Sequence, residues 1–115
     1  EKLVRALGVE HVSVIKPFKV KKSIETIREA LEYKGVSVIL SQEPCALYAK
    51  SLNLLKPRAF KVSDRCVDHK DCVNTIACPS FYIEDGRVKI DADTCVGCAV
   101  CAQICPENAI TPVKK

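Results

Sequence analysis

Apolar and polar positions along the first third of the chain follow two periods in turn. Glu1-Lys2-Leu3-Val4-Arg5-Ala6-Leu7 followed by Gly8 reads as the last two turns of a helix closed by a C-terminal glycine. A β-rich run, Val9 to Ile15, comes next and is stopped by Lys16-Pro17. From Ser23, taken as an N-cap, Ile24, Ile27, Ala30 and Leu31 fall on one helical face and Arg28, Glu29 and Glu32 on the other, until Gly35 ends the helix. Val36 to Leu40 is then a nearly continuous apolar run, the form expected of a strand buried on both faces of a parallel sheet. Helix, strand, helix and strand with short joints make one βαβ crossover and its preceding helix. One crossover cannot cover both faces of its own strands, so more sheet is expected upstream or in a partner. Pro44 at a helix start, then Cys45, Ala46, Leu47, Tyr48, Leu52, Leu54 and Leu55, predict a short helix leading into a linker around Lys56-Pro57-Arg58.

After residue 65 the pattern changes. Phe81 to Glu84 and Arg87 to Ile90 flank Asp85-Gly86, a two-residue hairpin signal. Laying Cys66 over Cys95, an offset of 29, also puts Asp64 over Asp93, Val67 over Val96 and Cys72 over Cys101. With two extra residues in the first copy, Cys78-Pro79 falls on Cys105-Pro106. The segment is a duplicated unit, each copy holding a short strand, a cysteine loop, a half-helix and a second strand.

Composition agrees with two kinds of structure. Residues 1–65 carry 13 Lys/Arg against 7 Asp/Glu, or +6, with one Cys; residues 66–115 carry 5 against 7, or −2, with seven Cys. A 115-residue chain that is 48% hydrophobic and 28% charged is not disordered wholesale. No apolar run approaches the ~18 residues of a membrane span, and no secretory leader precedes a cleavage site, so a soluble, cytoplasmic chain is expected. It begins at Glu1 with no Met anywhere, and is expected to be a piece of a longer polypeptide. Lys16, Lys19, Lys21 and Lys22 form a basic loop, read as a solvated face or a contact for an acidic partner. No aromatics interleave with these basic residues, which argues against a nucleic-acid surface.

The chemistry lies in the cysteines. The second copy reads Cys95-x2-Cys98-x2-Cys101-x3-Cys105-Pro106. Three thiolates spaced by two residues in one loop reach three corners of a compact cubane, while the fourth, beside Pro106, points elsewhere; this is the bacterial ferredoxin run. A disulfide framework would need an oxidising compartment, and a zinc site joins two separated Cys-x2-Cys pairs instead of an overlapping triple. In two-cluster ferredoxins the fourth Cys of each run binds the other run's cluster. Applied here, Cys95, Cys98, Cys101 and Cys78 form a complete set for one [4Fe–4S] cluster. Cys66, Cys72 and Cys105 belong to the other, whose fourth place falls on His69.

His69 has three readings. As an iron ligand, neutral imidazole removes one negative charge from the site and raises its reduction potential. As a non-ligand, it leaves three thiolates and a [3Fe–4S] cluster. As an exposed loop residue, it stands beside a site that has lost its cluster. Asp68 and Asp71 flank it and offer an oxygen ligand instead. Asp68 also stands where the second copy has Gly97, and Asp tolerates a left-handed backbone. Cys45, the remaining thiol, is read as a small buried hydrophobe, with a replacement cluster ligand or a redox-sensing thiol as the sharper readings.

Arg5-Ala6-Leu7-Gly8-Val9, Gly35-Val36-Ser37-Val38-Ile39-Leu40-Ser41, Pro44-Cys45-Ala46-Leu47 and the cysteine-rich tail together give the chain a resemblance. It resembles the carboxy-terminal part of the alpha subunit of indolepyruvate ferredoxin oxidoreductases, thiamine diphosphate enzymes of the 2-oxoacid:ferredoxin oxidoreductase group. The resemblance implies that residues 1–57 end a parallel-sheet α/β thiamine-type domain and that residues 58–115 are an α+β two-cluster ferredoxin domain. It further implies oxidative decarboxylation of an aryl 2-oxoacid to an acyl-CoA, a smaller beta subunit, and electrons leaving through the clusters to a soluble ferredoxin. Thiamine diphosphate and Mg²⁺ rest in this group on a Gly-Asp-Gly segment, which residues 1–115 lack, so that site and the catalytic residues are expected upstream in the rest of the alpha subunit. Such relatives carry both Pro-Cys and eight cluster cysteines, which argues against Cys45 replacing the ligand missing at position 69. The rival reading is a non-enzymatic ferredoxin-type carrier or adaptor whose α/β segment docks a partner.

Overall fold

The first β-rich run forms β1 (His11–Ile15) and the Val-Ile-Leu run forms β2 (Ser37–Ser41). They lie parallel, with His11 opposite Ser37 and Ile15 opposite Ser41. Helix α1 (Lys2–Ala6) precedes β1, and α2 (Val20–Glu32) makes the crossover. A computed structural model describes residues 1–54 and 58–113 of the chain, which divides into two units, Glu1–Glu43 and Pro44–Lys115.

Two expectations for the first unit are corrected. Ser23 is not the N-cap of α2, because a turn closed by Lys19 N–H donating to the Lys16 carbonyl (2.8 Å) starts the helix four residues earlier. Ser23 instead sits buried inside the helix, its Oγ donating to the same Lys16 carbonyl at 3.0 Å. Nor is β2 buried on both faces: Ser37 to Leu40 are half-buried, because the only strand pairing it among the described residues is β1. On α2, Ile24 and Leu31 remain 44% and 80% exposed, so the apolar stripe read from the sequence is present but incompletely covered. Gly35 has a specific task. It sits at φ 154°, and a Cβ there would lie 2.9 Å from the ring of Tyr33, which stacks on His11 with centroids 4.6 Å apart.

The second unit opens with α3 (Ala46–Ser51), whose buried residue is Ala49. Cys45 is its N-cap and is exposed, which corrects the reading of a buried small hydrophobe: its extended backbone (φ −52°, ψ 138°) places it ahead of the helical face that Ala49 buries. Leu55, Lys56 and Pro57, on which the linker and the expected boundary at 57/58 fall, lie outside the described residues.

The rest is β3 (Phe60–Val62), α4 (Asp71–Ile76), β4 (Phe81–Glu84), β5 (Arg87–Ile90), α5 (Val100–Ile104) and β6 (Ile110–Pro112). Strands β4 and β5 form the hairpin at the residues expected. Asp85 and Gly86 both have positive φ (51° and 76°), the backbone a type I′ turn requires. Strand β3 pairs antiparallel with β6, Val62 opposite Ile110. Each copy of the repeat thus gives its first strand to the other copy's last strand. The buried apolar residues here are small or few, among them Val88, Ala109 and Ile110, while all seven cysteines of the repeat are half-buried. Thiols take much of the interior that hydrocarbon would fill in a domain of this size.

Candidate metal centres

The two cysteine loops share a backbone as well as a spacing. Asp68 (φ 55°) and Gly97 (φ 76°) occupy equivalent left-handed positions, and so do Lys70 (φ 61°) and Ala99 (φ 62°). Two left-handed residues within three positions curl the chain, so that side chains spaced by two face inward before each half-helix begins. Helices α4 and α5 then start directly after Lys70 and Ala99.

Strand pairing decides which thiols meet. Because the end of each copy lies along the start of the other, the Cys-Pro segment of one copy is carried to the loop of the other. One cavity is lined by Cys95, Cys98, Cys101 and Cys78, closed by Phe60, Phe81 and Ile90. A second is lined by Cys66, His69, Cys72 and Cys105, with Asp68, Asp71 and Pro106 at its edge. All eight residues singled out by the spacing are therefore gathered in two groups of four.

Burial holds two of these thiols towards their neutral form. Burial pushes the Cys101 thiol up to about 11, and repulsion from Cys98 and Cys95 adds to it. Cys72 is raised as well, first by burial and then by Cys105 and Cys66, while the Val73 N–H acts in the opposite direction. Several thiolates in one half-buried cavity repel each other unless positive charge lies between them, which a cluster's iron supplies. Among the described residues no three His, Cys, Asp or Glu side chains converge on a position for a single metal ion. A mononuclear zinc site would draw its sulfurs to about 2.3 Å from one point. The donor set, four thiols in one group and three thiols with an imidazole in the other, fits iron–sulfur clusters in its chemistry.

Neighbouring groups hold these donors. The Ala109 N–H donates to Cys105 Sγ at 3.3 Å. Asp68 Oδ1 accepts from the Val88 N–H of β5 at 3.1 Å and lies 3.8 Å from Cys66 Sγ. Asp68 is thus tied to the hairpin, an arrangement that spacing alone did not reveal; the signal for it was the departure from Gly97 in the second copy. His69 and Asp71 are exposed at the rim, and Cys45 lines neither cavity.

Residues 88–111 match the family model of the 4Fe-4S binding domain. Over its whole length the chain is similar to the carboxy-terminal part of indolepyruvate oxidoreductase subunit IorA, the resemblance read from the sequence. The Archaeoglobus fulgidus protein of that name is 41% identical over 116 residues, covering 99% of this chain and 19% of its own length. The Methanothermobacter marburgensis one is 42% identical over 116 residues, covering 100% and 18%. Pyruvate synthase subunit PorD of Methanocaldococcus jannaschii is 43% identical over 56 residues, covering 46% of this chain and 63% of its own. The chain spans about a fifth of the length of the IorA relatives. No solved structure gives a significant match. No helix among the described residues is long and apolar enough to cross a membrane.

Proposed function

We propose that this chain is the electron-transfer segment of a 2-oxoacid:ferredoxin oxidoreductase of the indolepyruvate type. The observation that carries the reading is the gathering of Cys78 with Cys95, Cys98 and Cys101, a complete four-thiol set assembled across the two copies of the repeat. In this reading those four residues hold a [4Fe–4S] cluster, and Cys66, His69, Cys72 and Cys105 hold a second, altered one. A bound cluster of this kind accepts and passes on one electron at a time. The chain's own part is to fix the donors on left-handed loops, to seal the complete site with Phe60, Phe81 and Ile90, and to donate the Ala109 N–H to a ligand sulfur.

The parallel β1–β2 pair and α2 fit the end of a thiamine-type α/β domain, and residues 58–115 fit the ferredoxin domain joined to it. Thiamine diphosphate, Mg²⁺, CoA and an aryl 2-oxoacid then belong to the longer polypeptide, with a smaller beta subunit as its partner and soluble ferredoxin as the acceptor. Eight free thiols suit a reducing cytoplasm. Iron analysis and electron paramagnetic resonance of the anaerobically prepared protein test the reading. Two clusters give about seven or eight irons per chain, whereas about four mean that the altered site is empty. His69→Cys adds a thiolate and lowers the potential of one cluster alone; unchanged potentials in both rule out His69 as a ligand.

A further inference from the structure

Set against its twin, the first cysteine loop differs at four positions, Asp68, His69, Lys70 and Asp71 against Gly97, Cys98, Ala99 and Val100; the opposite charges of the exposed Lys70 and Asp71 offset each other, and the remaining two changes are of opposite electrical sense. His69 stands where the second loop has Cys98, so one thiolate charge is missing. Asp68 stands where the second loop has Gly97, so one carboxylate is gained, on the residue next in sequence. The structure places that carboxylate at the site: Oδ1 accepts from the Cys66 thiol at 3.8 Å, a proton that a ligating thiolate gives up, so the anchor that remains is the backbone one. It is also held there. The same oxygen accepts from the N–H of Val88, itself 3% exposed, so the hairpin strand keeps the carboxylate against the ligand sulfur. The backbone at Asp68 is left-handed (φ 55°), a conformation that glycine meets at the twin position without a Cβ and that Asp adopts less readily. A residue kept in that conformation with its charge aimed at a ligand sulfur does more than close a loop.

We infer that Asp68 is a potential-setting residue: it restores, beside Cys66, the negative charge that His69 withholds, and so keeps the altered cluster reducible only at low potential. The inference rests on the two-cluster reading above. With it, the first site has three thiolates and one adjacent carboxylate against four thiolates in the second; of the other charged residues lining the first cavity, all exposed, Lys70 and Asp71 offset each other and Glu107 adds a negative charge. A fixed negative charge close to a redox centre in a half-buried site disfavours the reduced form, because adding an electron adds repulsion that water screens poorly there. Lys61, Arg87 and Lys89 line the cavity that Asp68 also lines and draw on its field, but Lys89 is engaged by Glu84, and the contact to Cys66 is made by the carboxylate itself.

The test is a potentiometric titration, followed by electron paramagnetic resonance, of the intact cluster-loaded protein and its Asp68→Asn and Asp68→Glu variants, with iron content measured first. Asn keeps an oxygen for the Val88 N–H and removes the charge. The expected result is that Asp68→Asn shifts the oxidised-to-reduced ratio of the altered cluster at fixed poise at least tenfold towards reduced. That is a rise of about 59 mV or more for a one-electron couple. The cluster held by Cys95, Cys98, Cys101 and Cys78 stays where it was, and Asp68→Glu stays near the unaltered protein. Unchanged potentials in Asp68→Asn with both clusters present overturn the inference. So does loss of the altered cluster alone in Asp68→Asn, which would make Asp68 a loop anchor and nothing more. About four irons per chain in the unaltered protein would sink the two-cluster reading instead, and the iron analysis separates the two failures.

Discussion

The loops Cys66–Cys72 and Cys95–Cys101 share a backbone and differ in what they present. Both place left-handed residues at the same two positions, and both lead into a half-helix. The second loop offers Gly97 and Cys98 where the first offers Asp68 and an exposed His69. A loop conformation set by φ angles and strand pairing has survived a change of donor and a change of charge. Geometry and electronics are separable in this design: the backbone determines which side chains meet, and the side chains determine what the site does with an electron.

The comparison breaks most severely when the exchange between copies is attacked. Cys78→Ala is expected to abolish the cluster of the second loop, removing about four irons per chain, while the spectrum of the first loop's site persists. Cys105→Ala should do the converse. If Cys78→Ala emptied the first loop's site instead, the interlocked arrangement of the copies would be wrong, and iron analysis with low-temperature spectra reads this directly.

A milder change acts on both loops at once. Gly86 has φ 76° in the turn that joins the two copies, and a Cβ there would meet nothing within 4 Å, so Gly86→Ala adds backbone strain without a clash. The expected cost is about 1 kcal/mol in denaturant unfolding of the cluster-loaded protein, with both cluster spectra unchanged. A selective change in one spectrum would show that the turn serves one site more than the other.

The smallest effect is a control outside both loops. Ser37→Ala removes the 2.6 Å hydrogen bond between Ser37 Oγ and His11 Nδ1 in the first unit. A loss of about 1 kcal/mol or less is expected, read by thermal unfolding, with the iron signals of both sites untouched. Any shift in a cluster potential would mean that the α/β unit and the ferredoxin unit communicate.

Local signals were legible where one residue type has one conformational use. Asp85-Gly86 gave the hairpin to the residue, and the cysteine spacing gave the loops and half-helices. The start of α2 is not legible from residue type, because Ser23 is a good N-cap by type, yet its hydroxyl turns back to the Lys16 carbonyl inside the helix. Burial was less legible than periodicity: the apolar runs of β2 and α2 say that these faces seek cover, and the described residues supply only part of it. The exposure of Cys45 is hidden from the sequence for a related reason, since a free thiol's usual burial depends on what packs over it, and at a helix N-cap nothing need do so.

By itself the sequence determined the cysteines, their spacing, the duplication and the one place where His69 stands opposite a cysteine of the other copy, because these depend on residue identity and short-range backbone preference. Only the tertiary structure brought Cys78 to Cys101 and Cys105 to Cys66, through the pairing of β3 with β6 and β4 with β5. Only it turned Asp68 from a tolerated left-handed residue into a carboxylate held against Cys66 by Val88. Contacts between residues twenty or more positions apart depend on which strand edges meet, and that is settled by the balance of hydrogen bonds and burial over the whole domain, which no local pattern in the sequence encodes.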